Sequence, residues 1–238
     1  MTRVDILAFG AHPDDAEIGC GGTLIKAAGA GRRVVIVDMV RGELGTRGTA
    51  ETRAREAAAS AEILGLHGRE NLDLPDGHIH VNDASKRAVA QAIRRWRPEA
   101  VFLPYWNDRH PDHANASQVA YEGIFLAGLP KYDTGQESFR PFKVFYYMGW
   151  IEFDPTFIVD ITDQAEQKLQ AIYAYSTQFS PTATRDPQTI LTSPTTDWLL
   201  RSRMAHYGSL IRKTYGEGFL IRGRLEAADP LELRFSSF

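Results

Sequence analysis

Only one cysteine, Cys20, occurs in 238 residues, so no disulfide forms within the chain and no cysteine-rich zinc motif is available. Long apolar runs are missing as well. The nearest approach to one is broken by Arg32, Arg33 and Asp38, which excludes a membrane-spanning segment. There is no excess of positive charge either: 27 Lys and Arg stand against 30 Asp and Glu, a formal net charge of -3, and no long basic run exists to hold nucleic acid. Internal repeats and low-complexity segments do not occur. The opening residues, Met1-Thr2-Arg3-Val4-Asp5, lead directly into a strand-like run without the apolar core or cleavage site of a signal peptide, so the expected compartment is the cytoplasm.

What is present is an ordinary globular composition, 43% apolar and 24% charged, at a length that suits one compact domain over residues 1–238. Residues 4–11 are apolar except for Asp5 and are closed by Pro13, which predicts a strand buried on both faces. Residues 17–30 place Ile18, Leu24, Ile25 and Ala28 near helical spacing and stop at Gly31. Val34-Val35-Ile36-Val37 is a second buried strand, and strand, helix and strand in this order predict a right-handed parallel crossover. Thr49 caps an Ala-rich helix over 50–64 closed by Gly65. Leu72-Asp73-Leu74 is a short strand before the turn Pro75-Asp76-Gly77. Asn82 or Asp83 caps a helix marked by Val89, Ile93 and Trp96, with Pro98 as its stop. Ala100-Val101-Phe102-Leu103 is the next strand, and a helical pattern resumes over 113–126. Beyond Pro130, strands are expected over 143–150, 156–161 and 218–225, and helices over 163–175 and 197–211. Residues 180–194, with Pro181, Pro187 and Pro194, read as a long mobile loop.

Two stretches carry chemistry. Ala11-His12-Pro13-Asp14-Asp15 follows the first strand, and Asp108-Arg109-His110-Pro111-Asp112-His113 follows a later one. Either alone would pass for a surface turn, since Pro and Asp favour turns. Both at the ends of strand-like runs point to one site, because ligands sit at the carboxyl ends of strands in open parallel sheets. A catalytic divalent metal such as zinc takes three imidazole or carboxylate ligands and leaves a position for water. His12, Asp15 and His113 supply that set. Asp14 is then left beside the metal as a free carboxylate, placed to take a proton from the water as general base. His110 has Asp112 two residues on as a partner that can hold an imidazole protonated and oriented. Gly19, Gly21 and Gly22 are similar to a dinucleotide loop, but Leu24 breaks its pattern and the preceding acidic pair would repel a pyrophosphate. His67, His78, His80 and His206 sit in no ligand-like spacing and read as surface residues.

With both clusters in hand, the chain resembles the LmbE-like, or PIG-L, family of zinc-dependent N-acetylglucosamine deacetylases. The match lies in Ala11-His12-Pro13-Asp14-Asp15-Ala16-Glu17-Ile18-Gly19, in Gly21-Gly22-Thr23 and in His110-Pro111-Asp112-His113. Within that family it looks most like the bacillithiol-pathway branch, the N-acetylglucosaminyl malate deacetylases, through Arg41-Gly42-Glu43-Leu44-Gly45-Thr46-Arg47-Gly48, Asp73-Leu74-Pro75-Asp76-Gly77 and Tyr175-Ser176-Thr177-Gln178-Phe179. The resemblance implies an α/β, Rossmann-like fold, a mostly parallel sheet with helices on both faces in a three-layer sandwich. It implies one zinc ion per chain on His12, Asp15 and His113, with Asp14 as base. By the same carry-over, His110, oriented by Asp112, stabilises or protonates the tetrahedral intermediate. The partner is a small N-acetylated amino-sugar glycoside, and members of that branch are often hexameric. Some relatives polarise the amide carbonyl with a tyrosine from a late loop; none lies between Ser180 and Trp198. Arg53 and Arg109 are the candidates to grip the carboxylates of a malate aglycone. Glu43 and Gln178 are candidates for sugar hydroxyls or for structural roles. Other N-acetylglucosamine conjugates or a chitooligosaccharide remain as alternative substrates. A non-catalytic Rossmann module that binds sugar or nucleotide is the remaining reading, and it would have no use for an unliganded Asp14 beside a metal.

Overall fold

The three most apolar runs of the chain become neighbouring strands at the centre of one sheet. The computed structural model describes residues 3–180 and 187–235. Seven strands, β1 (Ile6–Gly10), β2 (Val34–Val40), β3 (Gly68–Leu74), β4 (Ala100–Pro104), β5 (Lys143–Tyr147), β6 (Phe157–Asp160) and β7 (Gly216–Leu220), lie in the order β3-β2-β1-β4-β5-β7-β6. The pairs from β3 to β5 are parallel, and β7 runs antiparallel to both β5 and β6. The helices are α1 (Asp15–Gly29), α2 (Ala50–Leu64), α3 (Asp83–Trp96), α4 (Pro111–Ala127), α5 (Ala165–Tyr173), α6 (Ser176–Phe179) and α7 (Thr196–Leu210). None among the described residues is long and apolar enough to cross a membrane.

Successive side chains of a strand face opposite sides of the sheet, and here both sides are covered. Leu7, Phe9, Val35, Val37, Val101 and Leu103 pack under Val89 and Ile93 of α3 and Val119 and Ile124 of α4. Ala8, Ile36 and Phe102 pack on the other face against Cys20 and Leu24 of α1 and Ala171 of α5. This is the three-layer α/β arrangement that the family resemblance implied.

Local signals set several boundaries. The Thr49 side chain accepts the Thr52 N–H at the head of α2, and Gly65 ends that helix with φ 68, a left-handed conformation that costs glycine little. Asn82 caps α3 by accepting the Ser85 N–H, and the helix ends at Trp96, just ahead of Pro98. Two expectations shift. The strand expected over 143–150 stops at Tyr147, and the one expected over 218–225 runs instead from Gly216 to Leu220. The expected strand begins at Gly218 and leaves out Gly216 and Glu217. The strand is packed too closely for a side chain at its two glycines: a Cβ on Gly218 would lie 2.8 Å from the Tyr207 ring. Of the loop expected over 180–194, residues 181–186 lie outside the described residues, and Ile190–Thr192 form a short 3-10 turn.

The sheet grows from β1 to β2 on one side and to β4 on the other. α1 lies on one face and α4 on the opposite face. Loops leaving the carboxyl ends of β1 and β4 therefore diverge and open a crevice between them.

Candidate active site

β1 and β4 are paired in parallel, with Ala8 opposite Phe102, so the loops that follow them leave the same edge of the sheet. His12 and Asp15 come from the first loop and the start of α1, and His113 comes from the first turn of α4. Nδ1 of His12 lies 3.5 Å from Oδ2 of Asp15, and Nε2 of His113 lies 3.3 Å from Oδ1 of the same carboxylate. One ligand atom from each of the three residues falls within 4.8 Å of the others. Oδ2 of Asp15 also accepts the His12 backbone N–H at 2.8 Å, which locks the turn.

Each imidazole is held from behind by carboxylates. Nε2 of His12 is 3.1 Å from Asp76 and 3.4 Å from Asp112, and Nδ1 of His113 is 3.3 Å from Asp108. Protons on those outer nitrogens leave the lone pairs of His12 Nδ1 and His113 Nε2 turned toward Asp15, as in carboxylate-backed imidazole ligands of metals. Two such imidazoles and one carboxylate fit a divalent cation with an open position. His12, His110 and Asp112 form a second group of the same size. It is the poorer donor set. The Asp112 carboxylate already accepts the N–H groups of Gly77 at 2.8 Å and Ile79 at 3.3 Å, and His110 Nδ1 accepts the Asp112 N–H at 3.2 Å.

The cage lacks positive charge, and its proton affinities show it. Burial pulls the His12 imidazole down, but the carboxylates of Asp112, Asp15 and Asp76 outweigh burial and hold it well above its ordinary value. Burial likewise opposes charge on His113, yet Asp15 and Asp108 raise it to about 9. Burial pushes Asp15 upward, and the two imidazoles reverse this and hold it well below the usual carboxylate range. A cation and protons thus compete for the same seats.

Asp14 stands apart from this set. It is buried and heads α1 with φ 119, a left-handed conformation that is strained for a non-glycine residue. Its Oδ2 lies 3.4 Å from the buried guanidinium of Arg53, which also donates to the Pro13 carbonyl. Burial raises the Asp14 carboxyl against the opposing charge of Arg53, to about 7. A carboxyl group poised near neutrality suits proton transfer.

The other sequence candidates are distributed unevenly. His110 caps α4, stacks on His113 at 4.7 Å between ring centroids, and is lowered in proton affinity by burial and by the neighbouring imidazoles. The expected contact of the Asp112 carboxylate with His110 is replaced by one through the Asp112 backbone. The first N–H groups of a helix need acceptors, and the His110 ring provides one, which frees the carboxylate to face His12. Arg109 is exposed and lies 4.2 Å over the Trp150 ring. Glu43 accepts the Asp76 N–H at 3.1 Å, and Gln178 donates to the Arg47 carbonyl at 2.7 Å. Asp14, Arg53, Arg109 and Gln178 line one cavity of about 370 Å³ with the His12, Asp15 and His113 cluster, whereas Glu43 and Asp112 stand behind it. That volume falls in the range of small-molecule sites. Sequence reasoning passed over Asp76, hidden in an ordinary Pro-Asp-Gly turn. It also passed over Asp108, whose signal was its place within the second cluster.

Residues 7–124 match the family described as PIG-L, GlcNAc-PI de-N-acetylase. The chain is 31% identical over 233 residues to the diacetylchitobiose deacetylase of Thermococcus kodakarensis, covering 90% of this chain and 81% of that protein. Its fold is similar to that of the conserved protein TT1542 from Thermus thermophilus, with a TM-score of 0.87, 36% identity and coverage of 97% of this chain and 100% of that one. It is also similar to the N,N'-diacetylchitobiose deacetylase from Pyrococcus horikoshii, with a TM-score of 0.79, 30% identity and coverage of 90% and 82%.

Proposed function

Since the chain belongs to the PIG-L family, which the named de-N-acetylase and diacetylchitobiose deacetylases represent, we propose that it removes the acetyl group from an N-acetylglucosaminide, with one divalent metal ion, zinc by donor chemistry, on His12, Asp15 and His113. The observation that carries this reading is Asp14: a buried carboxyl group raised to about 7, next to the ligand cluster but outside it. When bound, the cation supplies Lewis acidity toward the amide carbonyl and toward water. Asp14 accepts the proton released as water attacks. His110 has Nδ1 occupied by the Asp112 N–H, so it is neutral and its Nε2–H donates a hydrogen bond to the developing oxyanion, while the departing amine takes the proton that Asp14 accepted. Arg53, tied to both Pro13 and Asp14, holds the base in its strained turn.

For the aglycone, the charge of the site favours N-acetylglucosaminyl malate, the substrate implied by the bacillithiol-pathway likeness. Arg53 on the same cavity is engaged by Asp14 and the Pro13 carbonyl, whereas Arg109 is an exposed cation that would offset an anionic ligand. Diacetylchitobiose is the second reading, favoured by the names of the two relatives above. Acetate release from these two compounds and from N-acetylglucosamine decides between them. Arg109→Ala is expected to lose about ten- to hundredfold in kcat/KM on the malate glycoside, the worth of one charged hydrogen bond of roughly 1.5–3 kcal/mol, and little on the neutral sugars. Arg53→Ala should lose equally on all three, because its partner is Asp14. An equal loss for Arg109→Ala would remove the malate reading.

The metal assignment has its own test. Purified protein is expected to carry one zinc per chain by elemental analysis, and His12→Ala and His113→Ala to lose it. Undiminished metal in either variant would take that residue out of the ligand set.

A further inference from the structure

The Asp108 carboxylate is almost fully buried, at 1% side-chain exposure, and all its neighbours are donors. Oδ1 accepts the His110 backbone N–H at 2.9 Å and lies 3.3 Å from Nδ1 of His113, while Oδ2 accepts the Trp150 backbone N–H at 2.7 Å. Three donors engage both oxygens, and burial keeps the carboxylate away from a substrate. Asp108 does not line the cavity, yet every group it holds does: His110 and His113 on one side, Trp150 on the other. Trp150 carries the stacked Arg109, and Arg203 secures the same turn by donating to the Gly149 carbonyl at 2.8 Å. The close approach needs Gly149, where a Cβ would lie 2.3 Å from Asp108 Oδ2.

We propose that Asp108 is a positioning residue that couples the metal cluster to the substrate-facing wall of the cavity, one oxygen fixing His113 and the other fixing the turn that bears Trp150 and Arg109. The inference rests on the metal reading above. A cation on Nε2 of His113 requires the proton on Nδ1, and that proton points at Asp108. A ligand bond on Nε2 also fixes the ring in the orientation that faces Asp108, so filling the cluster steadies Asp108 as the anchor of the Gly149-Trp150 turn. The wall that meets the aglycone is then expected to open less often when the catalytic centre is loaded.

Asp108→Asn keeps the shape but cannot serve both sides. If its carbonyl oxygen stays on the Trp150 N–H, its amide N–H₂ faces His113 Nδ1 and favours the wrong tautomer; turned the other way, it loses Trp150. Gly149→Ala perturbs the same carboxylate from the opposite side, and φ at Gly149 is not in the left-handed region. Zinc affinity is measured by chelator competition, with thermal unfolding of the zinc-free proteins as the fold control. Hydrogen exchange of the segment containing Trp150 is followed with and without zinc. Both variants are expected to bind zinc about ten- to hundredfold more weakly, the usual cost of losing a carboxylate behind a ligand imidazole. Zinc should slow exchange at Trp150 in the wild type, and in neither variant at saturating zinc. Unchanged zinc affinity in Asp108→Asn, or zinc-dependent protection that survives in it, would overturn the coupling while leaving the deacetylase reading intact. A wild type that takes up no zinc would overturn both.

Discussion

Asp14→Asn is expected to retain its metal and to lose on the order of 100- to 10,000-fold in kcat, the usual worth of a general base. The substitution preserves volume and leaves one oxygen for Arg53, which lies 3.4 Å from the present carboxylate. Only the capacity to accept a proton is removed. Asp15→Asn has the same chemistry one residue away and a different consequence. Asp15 faces both imidazoles, so its loss should reduce metal content as well as turnover. Comparing zinc per chain with kcat in the two variants separates the roles of adjacent carboxylates. Near wild-type turnover in Asp14→Asn would sink the mechanism.

The pH profile follows from the same residue. Burial raises the Asp14 carboxyl to about 7 against the opposing pull of Arg53. A base works only when deprotonated, so activity is present above that value and is lost as pH falls through it. A cation on the neighbouring cluster adds positive charge and moves the limb lower. Activity is therefore expected to rise on an acid limb at or below about 7, and Asp14→Asn should flatten it.

The sequence makes the site legible to different depths. The clusters around His12 and His113 stand out because each ends an apolar run. Pairing β1 with β4, which are not consecutive in the chain, then brings them together where the strand order reverses. Asp108 and Asp76 were hidden because their work is done on residues distant in sequence, and single aspartates in Asn-Asp and Pro-Asp-Gly contexts read as turn formers. Arg53, a candidate to grip a substrate carboxylate, is buried where α2 packs beside Pro13, and its guanidinium faces Asp14. The antiparallel addition of β7 was not legible, since Gly216 and Gly218 are chosen for close packing rather than for strand propensity. Asp38 did carry a readable signal, a charge inside a fully buried strand that demands a partner.

That partner is Arg69, and Arg69→Met is expected to cost about 3–5 kcal/mol of stability, the range for stripping one side from a buried ion pair. The guanidinium donates to both oxygens of Asp38, at 2.7 and 2.9 Å, and to Glu17 at 2.6 Å. Its own side chain is 10% exposed, Asp38 is 3% and Glu17 is 0%. Glu17 would keep its bonds from Ser60 and Tyr175, each at 2.8 Å. Among the described residues Asp38 pairs with no other cation, so the larger share of the cost falls there. Burial already raises Asp38 despite Arg69, whereas for Glu17 burial is outweighed by Arg69 and the pKa is lowered. Without the guanidinium both carboxyls move up. Groups raised above their unfolded values are tolerated while protonated and become destabilising as pH rises through the folded value. The deficit should therefore be largest near neutrality and shrink toward about pH 5, above the ordinary carboxylate range of about 4. Urea unfolding of wild type and variant at about pH 7.5 and about pH 5.5 measures it, and adding Asp38→Asn should restore part of the loss at the higher pH by removing the orphaned charge. A deficit that does not depend on pH would mean that Arg69 acts through packing, and not as the counter-charge that lets two carboxylates lie beneath Asp14 and Asp15.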